Sequence, residues 1–175
     1  EACEEDAFLL AFGDHLSTPS PDGKSCVAQL VDAFDGARSM AALQCITVET
    51  AASTGVFECR EPPFVVPGPS SPKTRDLSES RIWPLSRVVE KPSADFVAEH
   101  LTGPGLPPGH CLGSFGNYIL TPKIFDILRK QPQLHMTAAI DDLRQSDGLD
   151  GILINGNRWD LGNTRTYIEA LQYQL

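Results

Sequence analysis

The chain has 175 residues, 41% of them apolar, enough to bury one ordinary core as a single globular domain or a large piece of one. With 23 acidic against 14 basic residues the formal net charge is -9, which opposes a phosphate backbone, so no nucleic acid partner is expected. The five cysteines, Cys3, Cys26, Cys45, Cys59 and Cys111, are odd in number and contain no C-x-x-C pair; this argues against a disulfide framework and a zinc site and for a reducing, cytoplasmic location.

The opening Glu1 to Asp6 is acidic and lacks the basic flank of a signal peptide. No apolar run approaches the roughly 20 residues of a bilayer span, so a soluble protein with no membrane partner is expected. Ala7 to Phe12 (AFLLAF) is continuously apolar and stops at Gly13, the pattern of a strand buried on both faces of a parallel sheet. Cys26, Val27, Leu30, Val31 and Phe34 then recur at helical spacing, with Ser25 as N-cap and Gly36 as the stop. Ala41 to Val48 reads as a second buried strand. Between Glu61 and Ser80 the chain turns rich in Pro, Ser and Gly, a surface excursion.

Leu85 to Val89 is a short strand candidate, followed by a helix around Phe96 to Leu101 and a Pro- and Gly-rich loop over Thr102 to Gly109. Cys111 to Leu120 contains a strand that runs into Thr121 as N-cap and Pro122 at the first helical position. The helix from Pro122 to Lys130 places Ile124, Phe125 and Leu128 on one face and ends in Arg129 and Lys130, favourable at the negative end of the helix dipole. Thr137 to Gln145 is a further helix, Gly151 to Ile154 a late strand, and Thr164 to Tyr173 a terminal helix capped by Asn163 or Thr164. Strands alternating with helices predict an α/β sheet with right-handed crossovers.

Three places carry chemistry. Asp14 follows the first strand directly and so belongs at the carboxyl end of the sheet, where open α/β folds place ligands; alone, it reads equally well as a turn cap. Asp160, in Trp159-Asp160-Leu161-Gly162, stands just before a helix, with Gly162 free to turn sharply. Two carboxylates from distant strands can share one Mg²⁺, which takes oxygen ligands. In Val88-Val89-Glu90-Lys91-Pro92 a charged pair is held at a strand terminus by Pro92. Lys91 offers a compact positive charge to a phosphate, while Glu90 accepts from sugar hydroxyls. His15 reads as a solvated loop histidine rather than a ligand. Gly113-Ser114-Phe115-Gly116 suggests a hydrolase elbow, but Leu112 stands where its first glycine is needed, which weighs against Ser-His-Asp chemistry with His135.

VVEKP at Val88 to Pro92, GNYILTPKIFDIL at Gly116 to Leu128, TAAI at Thr137 to Ile140 and WDLGNTRTYIEA at Trp159 to Ala170 together resemble the successive motifs of the sugar nucleotidyltransferases. The resemblance is closest to the UTP–glucose-1-phosphate uridylyltransferase branch and covers Phe8 to Ala170. It implies a Rossmann-like, GT-A-like three-layer α/β sandwich with a mostly parallel sheet. It also implies that Asp14 and Asp160 are Mg²⁺ ligands, that Glu90 accepts from the sugar, that Lys91 holds the sugar phosphate, and that the backbone of Gly55 lies against the sugar. Asp14, Asp160 and Lys91 are thus the expected catalytic residues.

The chain departs from the family at Thr54, Asn117 and Ala138, where the family carries tyrosine, arginine and an acidic residue. It also shows no Gly-rich loop bearing Arg and Lys, the element that holds the nucleoside triphosphate. Residues 1–175 are therefore expected to form the sugar-phosphate and metal part of one nucleotidyltransferase domain whose N-terminal part is missing. The parent reaction would join UTP and glucose 1-phosphate into UDP-glucose and pyrophosphate, with this chain inactive alone. The alternative is a non-catalytic sugar-phosphate-binding or structural half. Protein partners left open are a second copy and a separate N-terminal half.

Overall fold

A computed structural model describes residues 6–61, 63–65 and 81–174. In chain order the elements are β1 (Phe8–Ala11), β2 (His15–Ser17), α1 (Cys26–Ala33), β3 (Ser39–Thr47), a 3-10 helix (Val48–Ser53), β4 (Gly55–Glu58), β5 (Phe64–Val65), β6 (Arg81–Pro84), β7 (Arg87–Glu90), α2 (Ala94–His100), β8 (His110–Leu120), α3 (Lys123–Lys130), α4 (Met136–Asp147), β9 (Leu149–Leu153), β10 (Arg158–Asp160) and α5 (Thr164–Gln174). The opening Glu1 to Glu5 and most of the expected surface excursion, 66–80, lie outside the described residues.

Local signals in the sequence set most helix ends. Ser25 caps α1, its side chain accepting from the Ala28 N–H, and Gly36 follows with φ +84°. Asn163 Oδ1 accepts from the Arg165 N–H at 2.9 Å at the start of α5. Thr121 does not cap α3: its hydroxyl donates to Asp147 and its N–H to Ser39 Oγ, while Pro122 already has helical angles (φ -57, ψ -17). That helix therefore begins as expected within one residue, without the expected side-chain cap.

The main sheet runs β5-β6-β9-β3-β8-β4-β7, with β1 also pairing β8. β8 is the spine: β3 lies along one edge, β4 and β1 share the other, and every residue after His110 is buried. Its side chains alternate between the two faces of the sheet and enter three apolar clusters. Leu112, Tyr118 and Leu120 pack with Ile124 of α3 and Ile140 and Leu143 of α4. Phe115 and Ile119 pack with Leu30 of α1, while Cys111 joins Val97 and Leu101 beside α2. The expected three-layer α/β sandwich is therefore what forms. Its four described cysteines, Cys26, Cys45, Cys59 and Cys111, are free thiols.

Two expectations change. The sheet is mixed: among the described strands β3 and β9 pair in parallel and the other pairings are antiparallel. β1 and β3, linked through α1, share direction, as do β7 and β8, linked through α2, whereas β8 and β9, linked through α3 and α4, run in opposite directions. Between the members of each codirectional pair lies an antiparallel strand, β8 or β4. The second change is β1, which is half-buried in alternation rather than buried on both faces. Phe8 and Leu10 pack on the core, while Leu9 is 43% exposed because no described layer covers its face.

Candidate functional site

β2 and β10 form a separate two-stranded antiparallel ribbon, with His15 opposite Asp160, Leu16 opposite Trp159 and Ser17 opposite Arg158. The Leu161 N–H donates to the Asp14 carbonyl at 2.7 Å and the Thr18 N–H to that of Asn157 at 3.0 Å, extending the ribbon at both ends. Because side chains opposite one another in an antiparallel pair share a face, and so do residues two apart, Arg158, Asp160, His15 and Ser17 lie on one side. Trp159 is turned to the other, where it packs at a tilt against Tyr173 of α5 with ring centroids 4.8 Å apart. This pairing brings Asp14 and Asp160 together from opposite ends of the chain: ligand atoms of Asp14, His15 and Asp160 lie within 4.8 Å of one another.

The ribbon faces a cleft of about 180 Å³ that is also lined by Gly55, Glu90 and Lys91. All five residues singled out in the sequence thus meet at one place. Gly55 at the start of β4 lies opposite Glu90 at the end of β7. A Cβ on Gly55 would stand 3.3 Å from Glu90 Oε2 and 3.9 Å from the Ser114 Cβ, so glycine keeps that part of the cleft open. Glu90 is steadied from the opposite wall by Thr137 of α4, whose hydroxyl donates to Oε2 at 2.8 Å. α4 is itself tied to β7, where the Val88 N–H donates to Asp141 Oδ1.

Lys91 adopts φ 45°, the left-handed region that favours glycine. Its N–H donates to the Thr54 carbonyl at 3.1 Å. The Lys91 ammonium is 3.8 Å from Glu90 Oε1, and both side chains are open to solvent.

His15, Ser114, Tyr118 and Arg158 also line the cleft, and Gly116 lies behind the imidazole. Gly116 has φ +88° within the irregular stretch where β8 shifts register against β3 between Ala41 and Leu43. A Cβ there would fall 1.8 Å from His15 Nδ1, so only glycine lets the imidazole lie against β8. His15 is not the solvated histidine expected: its side chain is 12% exposed and meets Arg158, whose Nη2 lies 2.8 Å from Nε2. Burial first, then the Arg158 charge, lowers the His15 pKa, against the opposing pull of Asp14 and Asp160. Burial likewise lowers that of Arg158. Tyr118 shares a 2.7 Å hydrogen bond with Ser114, and burial pushes its hydroxyl up to about 12. Ser114 stands within β8, not on a strand-to-helix turn, which leaves the hydrolase elbow without its geometry.

Two carboxylates within reach of one another are hard oxygen donors and fit Mg²⁺. The Gly162 N–H donates to Asp160 Oδ1 at 2.9 Å and fixes that carboxylate, while Asp14 is exposed toward the cleft.

No protein-family model matches the chain. A UTP–glucose-1-phosphate uridylyltransferase of Streptococcus pyogenes is 26% identical over 176 residues, an overlap covering 96% of this chain and 49% of the relative. The Escherichia coli K12 protein of the same description is 28% identical over 100 residues, 54% of this chain and 30% of its own length. In sequence, the chain is similar to UTP–glucose-1-phosphate uridylyltransferases. Among solved structures, a UDP-glucose pyrophosphorylase complexed with UDP-glucose superposes with a TM-score of 0.70 at 22% identity, covering 98% of this chain and 56% of that one. A UTP-bound UDP-glucose pyrophosphorylase from Acinetobacter baumannii gives 0.68 at 19%, covering 98% and 51%. The expected resemblance is borne out, the fold is that of these pyrophosphorylases, and the chain spans about half the length of the uridylyltransferase from Streptococcus. Among the described residues no helix is long and apolar enough to cross a membrane.

Arg158, Thr137, Tyr118 and Gly116 were not singled out as site residues from the sequence. Gly116, Tyr118 and Thr137 fell inside stretches quoted for the resemblance, and Arg158 stands immediately before one. Only Arg158 had a signal of its own, a cation two residues from Asp160 on a strand.

Proposed function

We propose that this chain supplies the sugar-phosphate and Mg²⁺ half of a nucleotidyl-transfer site that joins glucose 1-phosphate to UTP, giving UDP-glucose and pyrophosphate. The observation that carries the reading is the convergence of Asp14, Gly55, Glu90, Lys91 and Asp160 on one cleft from four separate stretches of chain. In this reaction a phosphate oxygen of the sugar phosphate attacks the α-phosphorus of UTP in line. The α–β bridge bond breaks, and its electron pair leaves with pyrophosphate. Lys91 holds and orients the attacking phosphate, and Glu90, fixed by Thr137, accepts from sugar hydroxyls. The sugar passes close to Gly55, where no side chain intrudes. Asp14 and Asp160 would hold Mg²⁺, whose charge offsets that developing on the phosphates. No covalent enzyme intermediate is needed.

Residues 1–175 act in this reading as part of one nucleotidyltransferase domain. The alternative reading is a sugar-phosphate-binding piece without turnover. Calorimetry with glucose 1-phosphate and Mg²⁺, beside a coupled pyrophosphate-release assay with UTP, tests both. The 175-residue chain on its own should bind the sugar phosphate yet form no UDP-glucose, because aligning both substrates supplies roughly 7–11 kcal/mol of barrier lowering. Turnover by the chain alone refutes the half-site, and absence of binding refutes the site altogether.

A further inference from the structure

The cleft holds a buried guanidinium beside two carboxylates, and yet they do not close into a bidentate pair. Arg158 is 8% exposed in its side chain, and its nearest approach to a carboxylate is 4.0 Å, from Nη2 to Asp160 Oδ2. Such a cation ordinarily forks onto a carboxylate, the strongest partner available to it. Here Nε lies 3.3 Å from His15 Nδ1 and Nη2 lies 2.8 Å from His15 Nε2, so the guanidinium is spread across the imidazole instead. The imidazole cannot yield. Gly116 lies against it so closely that a Cβ would reach 1.8 Å, and Phe12 stands edge-on at 5.5 Å between ring centroids.

We propose that His15 is a positioning residue, a spacer that holds Arg158 off Asp14 and Asp160 and so keeps both carboxylates free for a divalent cation. The inference rests on the metal reading above and adds that His15 serves the site without ligating the ion. Without the ring, Arg158 would pair directly with Asp160 and compete with the metal for its oxygens. The register of the ribbon makes this collapse reachable, since Arg158 and Asp160 share a face two residues apart.

The test is Mn²⁺ binding to the purified protein, read by electron paramagnetic resonance of the free ion, above the ordinary titration range of imidazole. His15→Leu, which fills the space without an acceptor nitrogen, should weaken Mn²⁺ roughly ten- to a hundredfold, the range for residues that orient ligands. His15→Leu combined with Arg158→Met should restore much of that loss, because the competing cation is gone. A double variant no better than the single one overturns the spacer, as does His15→Leu with unchanged binding. Failure of the unsubstituted protein to bind Mn²⁺ removes the metal reading itself, a separate outcome. Should His15→Leu not fold, a Mn²⁺-soaked crystal of the unsubstituted protein decides. The ion should sit on Asp14 and Asp160 with the imidazole still against Arg158, and an imidazole nitrogen in the coordination shell overturns the proposal.

Discussion

Lys91 is the position where backbone and side chain make opposite demands, and comparing Lys91→Ala with Lys91→Gly separates them. Its φ of 45° costs an L-residue about 1–2 kcal/mol, a cost that alanine retains and glycine escapes. Glycine returns about 0.4–1 kcal/mol through the greater freedom of its unfolded chain. Lys91→Gly should therefore be more stable than Lys91→Ala by between about 0 and 1.5 kcal/mol, read by urea denaturation. The exposed contact with Glu90 adds little to this balance. Function should move the other way: both variants lose the ammonium, and a charge-assisted hydrogen bond to phosphate is worth about 1.5–3 kcal/mol. That predicts roughly a 10- to 150-fold loss in glucose 1-phosphate binding or in kcat/KM of the complete enzyme. Lys91→Arg should not restore it, since a planar fork replaces a compact ammonium poorly. Near-unchanged binding in Lys91→Gly would remove the sugar-phosphate role, and an alanine variant more stable than the glycine one would refute the strain argument.

Asp14→Asn and Asp160→Asn should each abolish most Mn²⁺ binding with little change in melting temperature; unaltered affinity in both would refute the metal pair. Gly116→Ala places a methyl into His15 on a left-handed backbone and should cost roughly 2–5 kcal/mol in denaturant unfolding. Tyr118 is held at about 12, above the ordinary value near 10 of an unfolded tyrosine. Its contribution is therefore complete below about pH 10 and is lost as pH rises toward 12, where the unfolded chain ionises first. Tyr118→Phe should flatten that alkaline decline, and an identical decline in the variant would show that another group causes it.

The elements that could be read in advance are those specified by neighbours along the chain. Ser25 caps α1 and Asn163 caps α5 because a side-chain oxygen reaches an N–H two or three residues away. Pro92 follows the end of β7 as expected, leaving Glu90 and Lys91 at the cleft. The same reasoning misplaced Ala7 to Phe12, since an apolar run does not say how many strands or layers will cover it, and Leu9 is left open. It also misread His15, whose burial depends on a glycine about a hundred positions away.

By itself, then, the sequence located the helices, the strands β1, β3, β7, β8 and β9 to within a few residues, and the five residues that the resemblance to the sugar nucleotidyltransferases singles out. Tertiary structure alone decided the β2–β10 ribbon, the antiparallel strands inserted between helix-linked neighbours, and the buried contact of Arg158 with His15. Three-residue strands such as His15–Ser17 and Arg158–Asp160 carry too few residues for a periodic signal. Their pairing joins residues 143 positions apart, as Trp159 and Leu16 are, and such contacts form only when the rest of the sheet has already brought those segments together.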